Sequence, residues 1–168
     1  MNIIIIYVII SFLLDCVMSC FTPINLVDPS FFRTIYSIIS LVVIFNYFEN
    51  NKKYLTILII LGILFDIIYT NTFLLNIILF FVISLILKEL DYFLPNNLFT
   101  INVKALISIW SYHLLSYLIL LMVHYNIYTF NLLIIILVRS IIMTIIYTTI
   151  SYLILNKYLK ANGYHEMK

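Results

Sequence analysis

The chain has 168 residues, of which 65% are hydrophobic and only 10% charged. A water-soluble domain carries about a quarter of its residues as charges, so too little polar surface exists here to cover a globule in water. The formal net charge of +2 is too small to imply nucleic-acid binding, and the mean hydropathy of +1.17 points to lipid as the main solvent.

Six apolar segments of spanning length follow one another, each near the roughly 20 residues that a bilayer requires. They cover residues 2–20, 30–48, 54–70, 72–90, 104–124 and 131–155. The chain therefore reads as a single all-α integral membrane domain over 1–168, a polytopic bundle of six transmembrane helices. The first segment carries Asp15 and the pair Cys16 and Cys20, which read as two small apolar residues on one helix face. With Asp15 interrupting the apolar run and no basic start, it reads as a retained helix rather than a cleaved signal.

"TPINLVDPS" separates the first and second segments and leads to Arg33. The polar turn "ENNKK" precedes the third segment, whose end reads "LGILFDIIYT". There Gly62, Asp66 and Tyr69 stand at i, i+4 and i+7 and share one face, with the small glycine admitting a close neighbour helix. "TNT" makes a tight reversal into the fourth segment, which carries Asn76 and Ser84. The stretch "KELDYFLPNNLFTINVK" is read as the longest connection. His113 lies in the fifth segment, and Arg139, Thr144, Thr148 and Ser151 lie in the sixth. A lone intramembrane histidine more commonly hydrogen-bonds between helices than titrates.

With six spans, the N-terminus, the second and fourth connections and the tail share a side. That side collects Lys52, Lys53, Lys88, Lys104, Lys157, Lys160 and Lys168, whereas the other holds Arg33. The positive-inside rule then makes both termini cytoplasmic. On this topology Asp66 lies about 6 Å below the outer end of its helix, and Arg139 about 12 Å from the outer surface. Asp15 and Arg33 share the same half of the membrane. Opposite charges in lipid face the bundle interior and pair, so Asp66 is expected to pair with Arg139, with Arg33 as the alternative. No Gly-rich phosphate loop, nucleophile–base set or His-rich metal motif is present in the sequence. The expectation is a non-enzyme without cofactor, metal or small-molecule substrate.

The stretch from "PSFFRTIYSIIS" to "NIILFFVISLIL" resembles the MreD family, small integral membrane proteins that determine rod shape in bacterial cell-wall elongation. The likeness is carried by Arg33, Gly62, Asp66, Tyr69, Thr70 and Asn76, with Arg139 and Thr144 matching part of the family's last helix. The proline usual there is absent and the spacing is one residue longer; Leu75 stands near a position where the family has glycine. The resemblance implies a protein of the bacterial inner membrane that contacts lipid and binds an MreC-like partner. Through that partner it would reach MreB, RodA and a penicillin-binding transpeptidase, supporting peptidoglycan synthesis. The rival reading is the substrate-binding membrane subunit of an energy-coupling-factor vitamin transporter, which expects alanines on a coupling face; the chain has only Ala105 and Ala161.

Overall fold

The structure, a computed structural model, describes residues 2–21, 34–48, 51–70, 74–124 and 129–161. Arg33 and the polar stretches around 22–33, 71–73 and 125–128 lie outside the described residues. The described chain is all-helical: α1 (Asn2–Phe21), α2 (Tyr36–Phe45), α3 (Asn51–Phe65) continued by a π-helical segment (Asp66–Thr70), α4 (Leu75–Phe93), α5 (Leu98–Met122) and α6 (Phe130–Ala161).

Each helix runs against the one before it. Late α1 meets the start of α2 through Asp15 and Ser37, and the end of α2 meets early α3 through Phe45 and Tyr54. Late α3 meets early α4 through Phe65 and Phe80. Asp91 of α4 reaches Lys104 of α5, and Tyr117 of α5 reaches Phe130 of α6. The alternation gathers the lysines of α3, α4, α5 and α6 at one end and the two buried aspartates, Asp15 and Asp66, toward the other.

The helix α2 occupies the centre. Its residues Tyr36 to Ile44 are all buried, and it packs against α1, α3, α4, α5 and α6. A helix apolar on every side belongs inside a bundle, and "SIISLVVIF" offers only two serines, with Ser40 Oγ donating to its own helix at Ser37 O over 2.7 Å. The other five close around it. Ser11 meets the Tyr147 hydroxyl at 2.8 Å to join α1 and α6, Asn102 donates to Thr149 to join α5 and α6, and Tyr69 closes the ring by donating to Phe12 O of α1 at 3.1 Å. Ile6, Ile9, Leu13 and Val17 of α1 and Ile142, Ile146, Ile150 and Leu153 of α6 face outward.

Element boundaries depart from the sequence expectation at the lysine end. The connection expected over residues 88–104 is mostly helical, because α4 continues to Phe93 and α5 begins at Leu98. Pro95 stops α4: the residue before a proline is driven into extended backbone, and Leu94 has φ −115° and ψ 122°. Asn97 starts α5 with a capping box, accepting from Thr100 N at 2.8 Å while its own N–H donates to Thr100 Oγ1 at 3.0 Å. Two orphan donors of a helix start are thereby satisfied. The sixth helix likewise runs past the expected limit at 155 to Ala161, since nothing in "NKYLKA" breaks it. The second is described as helix over ten residues only. Among the described residues three helices, Lys52–Thr70, Leu98–Met122 and Phe130–Tyr158, are long and apolar enough to cross a membrane.

Candidate functional site

Among the described residues, polar networks stand inside this apolar bundle near each end. At the carboxylate end, Asp15 is 2% exposed and holds the start of α2. One oxygen accepts from Tyr36 N at 2.9 Å, and the other from Ser37 N at 2.8 Å and from Ser37 Oγ. The first amides of a helix have no partner within it and sit at the positive end of its dipole. Asp15 is thus an N-cap delivered from a neighbouring helix. Ile35, immediately before α2, has no capping side chain of its own.

Asp66 repeats the arrangement one hairpin later. Its Oδ1 accepts from Asn76 N at 3.0 Å and Asn76 Nδ2 at 2.9 Å, in the first turn of α4. Asn76 is fully buried, and its amide is used on both sides: Nδ2 also donates to Thr70 Oγ1, and Oδ1 accepts from Tyr112 OH of α5 at 2.8 Å. One asparagine therefore joins the end of α3, the start of α4 and the middle of α5. The local geometry explains how Asp66 reaches it. Asp66 opens the π-helical segment, where the wider turn re-aims side chains. Leu74 enters α4 with φ 63°, a left-handed conformation uncommon for a residue with a side chain.

Gly62 sets the spacing of this seam. A Cβ built there would lie 2.8 Å from Ile77 Cα, so only glycine lets α3 and α4 approach as they do. Tyr69 points away from the seam to α1, with its hydroxyl also 2.8 Å from Cys16 Sγ and its ring edge-on to Phe12. The four residues Gly62, Asp66, Tyr69 and Asn76 thus serve one junction, although Tyr69 binds a different neighbour.

The ion pair expected from the sequence is not among the contacts of Asp66 just described. Arg139 is exposed on α6, Arg33 lies outside the described residues, and the described contacts of Asp66 Oδ1 are with the start of α4. A salt bridge stands at the other end: Lys104 Nζ lies 2.6 Å from Asp91 Oδ1 and donates to Asn96 Oδ1 at 2.8 Å. Asn96 Oδ1 also accepts from Asn46 Nδ2 at 2.7 Å, which ties the end of α2 to the α4–α5 turn. The Lys104 side chain is 3% exposed and that of Asp91 33%. Sequence reading puts Lys104 at the boundary between the fourth connection and the fifth segment and does not reveal this network. The Asn97-x-x-Thr100 capping pattern was the available signal, since it moves the helix start to 98 and puts Lys104 inside.

Thr144 and Thr148 are buried but return their hydroxyls to their own helix, at Ser140 O and Thr144 O. Thr34 meets Thr144 at 3.3 Å, linking the approach to α2 with α6. Ser84 donates to Phe81 O, and His113, 4% exposed, packs edge-on to Tyr112. Among the described residues no group of three or more His, Cys, Asp or Glu side chains is placed to hold a metal ion.

The geometry defines an all-helical membrane-type bundle in which buried carboxylates act on helix starts. Comparison with protein-family models, curated proteins and solved structures found no match to this chain.

Proposed function

We propose that the chain is a six-span protein of the bacterial inner membrane with cytoplasmic termini, acting without catalysis as an MreD-like component of cell-wall elongation. One observation supports the reading above others: the residues of the segment that resembles MreD converge in space. Gly62 sets the α3–α4 approach, Asp66, Thr70 and Asn76 form one hydrogen-bonded node, and Tyr69 fastens it to α1. Such a seam suits a rigid partner for another membrane protein, because its charges are consumed in holding helices at set positions.

The alternating helix directions agree with an even number of passes, with Lys52, Lys53, Lys88, Lys104 and Lys157 toward the cytoplasm. The ten-residue α2 is about 15 Å long, half the hydrocarbon thickness of roughly 30 Å. Its short length is compatible with a membrane because the surrounding helices, not lipid, cover it.

Copurification of the tagged protein with an MreC-like partner, and rounding of a rod-shaped host on depletion, are the expected results. Reporter fusions after Lys53, near Asn97 and at the C-terminus should read cytoplasmic. A cavity of about 430 Å³ between α2, α3 and α4 favours the second reading, a vitamin-transporter subunit. Copurification with an ATPase module and tight vitamin retention would establish that reading and remove the first.

A further inference from the structure

The cavity at the lysine end has a chemistry of its own. Asn46 and Tyr54, which line it, are 7% and 4% exposed, yet Asn46 Oδ1 and the Tyr54 hydroxyl have no hydrogen-bond partner among the described residues. Buried polar atoms left in this state are costly. The Asn46 amide cannot turn to relieve it, because Nδ2 is committed to Asn96 Oδ1 at 2.7 Å. An acceptor-only oxygen and a phenol are thus carried by two residues that line a pocket otherwise walled by Phe45, Phe48, Phe81 and leucines.

Two charged groups complete the lining: Lys88, exposed, and Asp91, whose carboxylate is one-third exposed while one oxygen engages Lys104. Phe81 and Leu85 also line the cavity and are 45% and 49% exposed on the outer face of α4. The pocket is therefore continuous with surface that faces lipid. Its volume falls within the range of small-ligand sites, roughly 300–1,000 Å³, and is too small for a whole phospholipid, whose chains would remain along α4.

We propose that this cavity binds the head of a phospholipid bearing a primary ammonium, from the leaflet at the lysine end. The ammonium donates to Asn46 Oδ1 and lies beside the Asp91 carboxylate, the phosphate meets Lys88 and the Tyr54 hydroxyl, and the acyl chains follow Phe81 and Leu85. Chain and head recognition together select a lipid over a soluble metabolite. The proposal rests on the membrane reading and is independent of any role in elongation.

The test is native mass spectrometry of the purified full chain in detergent with added phosphatidylethanolamine, phosphatidylglycerol or phosphatidylcholine. Phosphatidylethanolamine should be retained best, and phosphatidylcholine, which has no N–H to donate, at least severalfold less. Soluble phosphoethanolamine should compete weakly, because it lacks the chains; competition at equal concentration would overturn a lipid in favour of a free phosphorylated amine. Tyr54→Phe removes a hydroxyl that has no partner among the described residues, so the lipid-free protein should melt at the same temperature or higher. The same change should lower phosphatidylethanolamine retention roughly fivefold, the worth of one hydrogen bond. Equal retention of the three lipids, retention of phosphatidylglycerol at the phosphatidylethanolamine level, or unaltered binding by Tyr54→Phe with Asn46→Leu overturns the assignment.

Discussion

The two ends of the bundle solve the same problem by different means. At the carboxylate end Asp15 and Asp66 are buried against backbone amides and small polar groups of the next helix in the chain. At the lysine end Asp91 is neutralised by a cation, Lys104, and both are tied to Asn96, directly or through each other. A helix start is a diffuse partial charge spread over several N–H groups, so it holds an acid through geometry. An ammonium is a full charge that needs its counterion whatever the geometry. The ends should therefore respond differently to the loss of charge and to the loss of shape.

The largest effect is expected where a full charge would be stranded. Asp91→Ala leaves the buried Lys104 ammonium with Asn96 as its remaining described partner, and should destabilise the protein by about 3–5 kcal/mol. Unfolding by SDS titration in mixed micelles measures it. A loss below 1 kcal/mol, on the order of an exposed pair, would show that water reaches Lys104 and would erase the contrast.

Asp15 comes next. Asp15→Leu orphans the first amides of α2 and should cost about 2–4 kcal/mol, whereas Asp15→Asn, which keeps an acceptor oxygen, should lose clearly less. Equal losses for the two would mean that a single acceptor oxygen does not suffice and that α2 requires both oxygens of the carboxylate. Gly62→Ala drives a methyl group against the backbone of α4 and should cost about 1–3 kcal/mol, with loss of the Asn76 node detectable as faster amide exchange at the start of α4. Retention of full stability would place slack in the seam that the 2.8 Å approach does not allow.

The smallest effect sharpens the comparison most. Asp66→Asn retains an oxygen for Asn76 N and should cost about 1 kcal/mol. Combined with Arg139→Gln, its effect should add to within about 0.5 kcal/mol. A double variant that loses much less than the sum would restore the ion pair that the sequence alone led one to expect.

The helix starts held by these two acids show where sequence reading stops. Asp15 and Asp66 were recognisable as special because a carboxylate within an apolar run is expensive in any fold. The helix starts that they hold were not recognisable. A charge in a sequence advertises itself only to opposite charges, while the backbone amides at the start of a helix carry no letter. The Gly62–Asp66–Tyr69 face was legible from i, i+4, i+7 spacing, and so was Asn76 as a polar contact, but not that Tyr69 turns to α1. Lys104 reads as the edge of a helix, not its buried interior, until the Asn97 cap moves the start of α5 to Leu98.

What the sequence by itself determined is the solvent, the helical class, the approximate positions of the apolar segments and the asymmetry of the lysines. All four follow from local composition and from the requirement that backbone groups in lipid bond within their own segment. Only the tertiary structure decided that α2 sits at the centre, that each buried aspartate caps the helix after it, and that Lys104 is inside. These depend on which faces meet, and neighbouring helices of nearly uniform Ile and Leu content carry little pattern to say so. The decisive features are instead single residues, a glycine at the α3–α4 approach and an asparagine shared by three helical elements, whose meaning exists only in contact with their neighbours.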